Sequence, residues 1–164
     1  MKIHVLRFNQ DDPKKCTAAK MVKFKIASDV RNTNKKNLVL DPFSDKTLLP
    51  KDKSLVNSIV GIDCSWNLTD QVFSKKFIGV KRKLPPLLAG NPVNYSKLNK
   101  LTTAEAISAS LFILGFKQDA LDLLDKFKWG HTFYDLNQNL LEEYSKLESE
   151  DQVENILKEY GLVK

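Results

Sequence analysis

The 164-residue chain lacks the glycine-rich signatures of the common nucleotide-binding folds. There is no GxGxxG and no GxxxxGK followed by Ser or Thr, which disfavours a Rossmann dinucleotide site and a P-loop. No GxSxG elbow marks a hydrolase nucleophile. Cysteine is scarce: Cys16 and Cys64 are the only two, too few for a disulfide framework. His4 and His131 are the only histidines, and no CxxC or HxxxH spacing exists, so no metal site is expected. No apolar run approaches the roughly 20 residues that span a bilayer, and the opening residues do not read as a signal peptide. The expectation is a soluble, cytoplasmic protein.

Glutamate is missing from the first 100 residues, and what replaces it is informative. Residues 1–100 hold 20 Lys+Arg against 8 Asp, a net +12; residues 101–164 hold 6 Lys against 12 Asp+Glu, a net −6. A basic half suits a polyanion, because cations near phosphates release condensed counterions. The plainer alternative is that lysine is simply a common surface residue.

The halves also differ in pattern. Residues 2–8 read as a strand, broken by Asp11, Asp12 and Pro13. Thr17 precedes a helix-compatible stretch, Ala18 to Lys25, and residues 37–40 form a short apolar strand ended by Asp41-Pro42. Residues 58–62 are continuously apolar, as in a parallel strand covered on both faces, and Asp63 follows at its carboxyl end. In open α/β sheets that edge is where ligands bind. Thr102-Thr103-Ala104-Glu105 is a capping box opening a helix with apolar positions 104, 107, 111 and 114, closed by Gly115. Two further helices carry Ala120, Leu124 and Phe127, and Phe133, Leu136, Leu140 and Tyr144. A second box, Ser149 to Gln152, precedes a last stripe at 153, 156, 157 and 160. The reading is a basic α/β domain over 1–85, then a connecting segment and all-helical domain over 86–164, with proline and glycine breaking the apolar stretch 84–95.

Three clusters are chemical candidates. Asp12-Pro13-Lys14-Lys15-Cys16-Thr17 is either an anion-binding turn or a capped helix with a solvated face. Asp63-Cys64-Ser65-Trp66 is either a base beside an aromatic wall or an N-cap followed by a core tryptophan. Lys81-Arg82-Lys83 is either a solvated face or a phosphate contact. Cysteine without a partnering histidine is usually a small buried filler. Phe127, Trp129 and Phe133 fall at helix-core spacing and read as packing.

These blocks, in order, resemble one family. They are Asp12 to Thr17; Asp63 to Trp66; Lys83-Leu84-Pro85-Pro86-Leu87-Leu88-Ala89-Gly90-Asn91-Pro92-Val93-Asn94-Tyr95; Leu101 to Ala106; and Phe127 to Gly130 with Phe133 and Asn137. The set is similar to the S-adenosylmethionine (SAM)-dependent aminocarboxypropyltransferases of small-subunit ribosomal RNA, of the archaeal type. That resemblance implies a SPOUT-like α/β fold with a deep trefoil knot and a monomeric state. It implies transfer of the 3-amino-3-carboxypropyl group from SAM to N3 of an N1-methylpseudouridine, with methylthioadenosine released. It makes Asp63 the general base, and Thr17, Ile62, Leu84, Asn99 and Thr103 donor-binding positions. Trp66 and Leu40 would wall the SAM methyl group. The RNA-facing cations would be Lys15, Lys20, Lys81, Arg82 and Lys83. Three positions depart from the family pattern: Asp41 where Ser is usual, Gly90 where Ala is common, and Ser96 in place of a glycine. The rival readings are a knotted RNA methyltransferase and a non-catalytic RNA-binding module of ribosome assembly.

Overall fold

The computed structural model describes residues 1–10 and 12–163, so Asp11, read as part of the first break, lies outside the described residues. The strands are β1 (Lys2–Arg7), β2 (Ser28–Asp29), β3 (Asn37–Leu40), β4 (Ser58–Asp63) and β5 (Val80–Arg82). They form one all-parallel sheet in the order β2-β1-β4-β3-β5. Parallel neighbours need crossovers. Helix α1 (Thr17–Lys23) links β1 to β2, and a 3-10 turn over Pro50–Leu55 links β3 to β4. A second 3-10 turn (Trp66–Leu68) and α2 (Thr69–Phe73) link β4 to β5.

Central β4 explains its own apolarity. Ile59 and Val60 are fully buried, as are Leu38 and Val39 of β3, so both sheet faces are covered. Gly61 is the close-approach point. A Cβ there would lie 2.8 Å from Thr103 Cγ2 and 2.9 Å from Ile107 Cδ1, so its absence lets the next helix lie directly on the strand.

That helix is α3 (Thr103–Ile113), followed by α4 (Lys117–Leu124), α5 (Gly130–Tyr144) and α6 (Asp151–Glu159). The stripe of the sequence reading understates α3. It packs on β4 and α1 on one side and on α4 and α5 on the other. Even Ser108 and Ser110 are buried, their hydroxyls donating to the carbonyls of Ala120 (3.0 Å) and Ala106 (2.8 Å). A helix buried on nearly every side belongs inside a core rather than on its surface. Accordingly one apolar cluster contains Val5, Leu38 and Ile59 with Ile107, Phe112, Phe133 and Tyr144, and the core is continuous across residue 85.

Several local readings are corrected. Helix α1 begins at Thr17, and its N-cap is Cys16, whose sulfur accepts from Ala19 N at 3.4 Å. Its C-terminus is earlier than Lys25, which sits left-handed at φ 59°. The capping box at Thr102 and Glu105 forms fully, but the one read at Ser149 does not. Gln152 Oε1 accepts from Glu148 N and Ser149 N, and Glu150 is the N-cap residue. Of Lys81-Arg82-Lys83, read as a solvated face or a phosphate contact, the first two lie in edge strand β5. Phe127 and Phe133 are buried, and Trp129 packs on Phe127 at 5.3 Å between ring centroids, as expected of packing residues.

The segment 84–101 has almost no regular structure, yet its first part, 85–91, enters the core, while 92–100 lie at the surface. Its backbone groups need partners, and buried side chains supply them. Leu88 N donates to Asn137 Oδ1 (2.8 Å) while Asn137 Nδ2 donates to Leu88 O (2.7 Å), so one amide stands in for a neighbouring strand. Tyr144 Oη donates to Pro86 O (2.7 Å). Gly90 N and Asn91 Nδ2 donate to the two oxygens of fully buried Glu105 (3.0 and 2.7 Å). Burial pushes the Glu105 carboxyl above its ordinary pKa, against the pull of these donors. Gly90 has no room for a side chain, since a Cβ would meet Phe133 N at 2.4 Å. Ser96, the departure from glycine, is left-handed at φ 65°.

Two stability outcomes follow. Asn137→Leu strands both backbone groups of Leu88 and should lower unfolding free energy by about 3 kcal/mol. Urea denaturation at constant slope reads this, and a loss under about 1 kcal/mol contradicts the bridging role. Ser96→Gly should raise stability by about 1 kcal/mol by relieving the left-handed strain. A lowered urea midpoint would show that the serine hydroxyl matters more than the strain.

Candidate active site

The carboxyl ends of β3 and β4 and the residues that follow β5 open onto one cavity of about 1230 Å³. Its walls come from the strand ends, the irregular segment and the first turns of α1, α3 and α6. Typical small-molecule sites span about 300–1,000 Å³, so this one has room for a ligand and part of a second molecule.

Asp63 ends β4 inside this cavity, and it is buried. Register places it opposite Arg7 of β1. Its carboxylate accepts from the Cys16 thiol, at Oδ2 (3.1 Å), and from the Thr103 hydroxyl, at Oδ1 (3.3 Å). Both donors belong to helix starts. Cys16 caps α1 and Thr103 is the first residue of α3, so Asp63 faces the positive end of α3 as well. Thr17 ties the two helix starts together, its Oγ1 accepting from Ala104 N at 3.2 Å. The geometry suits a carboxylate held in one orientation and offered to a bound ligand.

The other sequence-derived positions distribute as follows. Leu40, Ile62, Leu84, Asn99, Thr103, Thr17 and Trp66 all line the cavity with Asp63. Leu40 is buried at the end of β3, whereas Trp66 is 40% exposed at the rim, which excludes its being a core tryptophan. Asn99 is left-handed at φ 62°, and its backbone N donates to Leu87 O. Of the cations, Lys15 and Lys83 line the cavity and Lys20 and Lys81 do not. Arg82 is bound elsewhere: Nε and Nη2 donate to Asp52 Oδ2 and Oδ1, both at 3.0 Å, and only 15% and 4% of the two side chains is exposed. This bidentate pair pins the Pro50–Leu55 turn to edge strand β5.

Three features were not read from the sequence. The first is the Cys16 bond to Asp63. Its one signal was a cysteine where Ser, Thr, Asp or Asn normally caps a helix. The second is Lys100, whose Nζ lies 4.8 Å over the Trp66 ring. The third is the wall supplied by α6, where Val153 and Leu157 line the cavity beside Glu150, Asp151 and Glu154. Glu150 also accepts from Thr47 N at 2.9 Å, tying the helical half to the loop after β3.

Burial, with the negative Asp63 alongside, raises the Cys16 pKa to about 11. The folded state therefore keeps this proton longer than the unfolded chain does. The associated stability is complete below the ordinary thiol value of 9.0 and is lost as pH rises from there through about 11. Cys16 should thus resist iodoacetamide at pH 8 while half-buried Cys64 reacts. Peptide mass spectrometry of the folded protein reads the two sites, and preferential labelling of Cys16 would contradict the assignment.

Known proteins resemble the chain along nearly its whole length. A family model described as "Ribosome biogenesis protein, C-terminal" matches residues 38–161. A second, "Possible Fer4-like domain in RNase L inhibitor, RLI", matches residues 1–35. Those residues do not fit an iron–sulfur cluster, which takes about four thiolates, because Cys16 is their only cysteine. A 16S rRNA aminocarboxypropyltransferase from Methanobrevibacter smithii is 45% identical over 98% of this chain and 97% of its own length. One from Saccharolobus solfataricus is 44% identical over 92% and 91%. Among solved structures, the SAM-dependent rRNA:acp-transferase Tsr3 from Vulcanisaeta distributa aligns with a TM-score of 0.83 at 37% identity, covering 88% of this chain and 82% of that one.

Proposed function

Because the chain belongs to the 16S rRNA aminocarboxypropyltransferase family, we propose that it transfers the 3-amino-3-carboxypropyl group of SAM to a base of small-subunit ribosomal RNA. The observation that carries the reading is Asp63, oriented by Cys16 and Thr103 in a cavity whose rim and wall are Trp66 and Leu40. The acceptor is N3 of an N1-methylpseudouridine, and methylthioadenosine is the by-product. The finer features of the resemblance belong to the same proposal: a SPOUT-like trefoil knot, a monomer, an archaeal type and a cytoplasmic place of work. So does the division at residue 85.

As donor substrate, SAM supplies three carbons activated by one sulfonium. The chain's task is to choose among them. Leu40 and Trp66 enclose the methyl group, and Thr17, Ile62, Leu84, Asn99 and Thr103 hold the rest of the donor. Orientation of this kind supplies up to about 7–11 kcal/mol of a barrier. Asp63 takes the imide proton from N3. The freed electron pair forms the bond to the γ-carbon, the carbon–sulfur bond breaks, and its electrons leave with sulfur as neutral methylthioadenosine. Lys15 and Lys83 at the cavity, with Lys20 and Lys81 outside it, meet RNA phosphates. Arg82 contributes there indirectly, since its guanidinium is held by Asp52.

The test uses the purified protein, SAM, and small-subunit rRNA from cells lacking the protein. Asp63→Asn should lower kcat by about 10²–10⁴-fold with calorimetric SAM binding unchanged. Undiminished turnover would end the base assignment. Mass spectrometry should find methylthioadenosine, and S-adenosylhomocysteine in its place would convert the reading to methyl transfer.

A further inference from the structure

A second cleft, of about 680 Å³, opens on the same sheet edge, beyond the ends of β1 and β2. Leu6, Arg7 and Phe8 form one side, Asp29 to Arg31 a second, and Lys75 and Phe77 the third. Phe8 N donates to Asp63 O at 3.0 Å, so the cleft abuts the strand end that bears the proposed base. Among the described residues its one acid is Asp29, which accepts from Arg7 Nε at 3.1 Å. Lys75 and Arg31 are exposed, and neither forms an ion pair with another described residue. Lys75 Nζ sits 4.7 Å over the Phe8 ring. An aromatic row joins this cleft to the main cavity: Phe43 meets Phe73 edge-on at 6.0 Å, and Phe73 meets Phe77 at 6.1 Å. Phe73 lines the large cavity and Phe77 the small one.

Cations interleaved with aromatic rings are the composition of a single-stranded nucleic-acid site, in which bases stack and phosphates meet Lys and Arg. We infer that this cleft binds a nucleotide flanking the acceptor base, with Phe77 stacking on the neighbouring base and Arg31 and Lys75 contacting the flanking phosphates. The RNA then crosses the carboxyl edge of the sheet, with the acceptor base over Asp63 and its neighbour over β1 and β2. The inference rests on the proposed RNA substrate and adds a second point of attachment to it. Two anchors fix the register of a flexible strand better than one, so the cleft acts on RNA affinity and not on the chemical step.

The test compares Arg31→Glu/Lys75→Glu with Lys126→Glu/Lys128→Glu, the same charge change on exposed residues of the helical half. Each is assayed full-length with SAM, for turnover on small-subunit rRNA from cells lacking the protein and for equilibrium binding of that RNA. The cleft variant should raise the RNA KM about tenfold and flatten the logarithmic salt slope of binding by about 1.4, the loss of two single-strand phosphate contacts. Its kcat at saturating RNA and its SAM affinity should not move. Phe77→Ala should raise the KM several-fold, and Phe77→Tyr, which keeps the ring, should restore it. An unchanged KM and slope in the cleft variant, or an equal effect of the control, would overturn the inference. If the wild-type protein transfers nothing to RNA, the proposed reaction falls, and the binding comparison still decides the cleft.

Discussion

One buried amide governs how the irregular segment is held against the helices. Asn137 bonds both backbone groups of Leu88, and on either side Tyr144 and Glu105 receive or supply the polar groups of Pro86, Gly90 and Asn91. A segment with three prolines cannot form a sheet ladder, because proline has no backbone donor. It can enter a core only where side chains replace the missing partners. The same segment supplies Leu84, Pro85, Pro86, Asn91 and Asn99 to the cavity wall. The position of that wall is therefore set by Asn137, Tyr144 and Glu105, none of which lines the cavity. Glu105 links the two roles, since it closes the capping box that starts α3 and also holds the segment.

The start of α3 is what brings the carboxylate into a defined setting. Gly61 allows the helix to touch β4, and Thr103 then falls within hydrogen-bond reach of Asp63 at the end of that strand. Cys16 arrives from the opposite side of the chain by capping α1. A thiol is a weak donor, and its raised pKa keeps it a donor through the range in which a carboxylate is charged. In the proposed reaction this matters twice. It fixes the oxygen that meets the imide, and it excludes the sulfur from competing as a nucleophile for the activated donor.

The uneven charge of the sequence acquires a spatial meaning in the fold. Lys15 and Lys83 of the basic half and Glu150, Asp151 and Glu154 of the acidic half line the same cavity. A cationic sulfonium donor is favoured by the acidic wall, and a polyanion by the basic rim, so a single cavity can receive two substrates of opposite charge. Much of this was legible in advance. Continuous apolarity marked β4 and left Asp63 at its end, and the periodicities at 104–114 and 133–144 gave α3 and α5. Strands β2 and β5 and helix α2 escaped because two to five residues carry no usable period. Asn137 was visible only as part of a resemblance. Its role depends on a partner 49 positions away, and nothing in local sequence reports that distance.

The arrangement around Trp66 bears on how a transferase of this kind selects its group. Methyl and aminocarboxypropyl carbons hang on the same sulfur, so a general base alone cannot distinguish them. The choice has to be geometric, and rigid walls are what impose geometry. Leu40 is such a wall, buried at the end of a strand whose four residues are all inside. Trp66 is not, since it stands at the rim in a short 3-10 turn with Lys100 over its ring. Its neighbour Thr69 donates to Trp66 O at 2.7 Å and so fixes the turn's backbone, while the lysine restrains the ring from outside. In the proposed reaction the face of the indole away from Lys100 meets the donor, whose sulfonium is itself a cation that an aromatic face attracts. On the proposed reading, selection at Trp66 thus depends on an indole set between two positive charges, Lys100 of the chain and the sulfonium of the substrate.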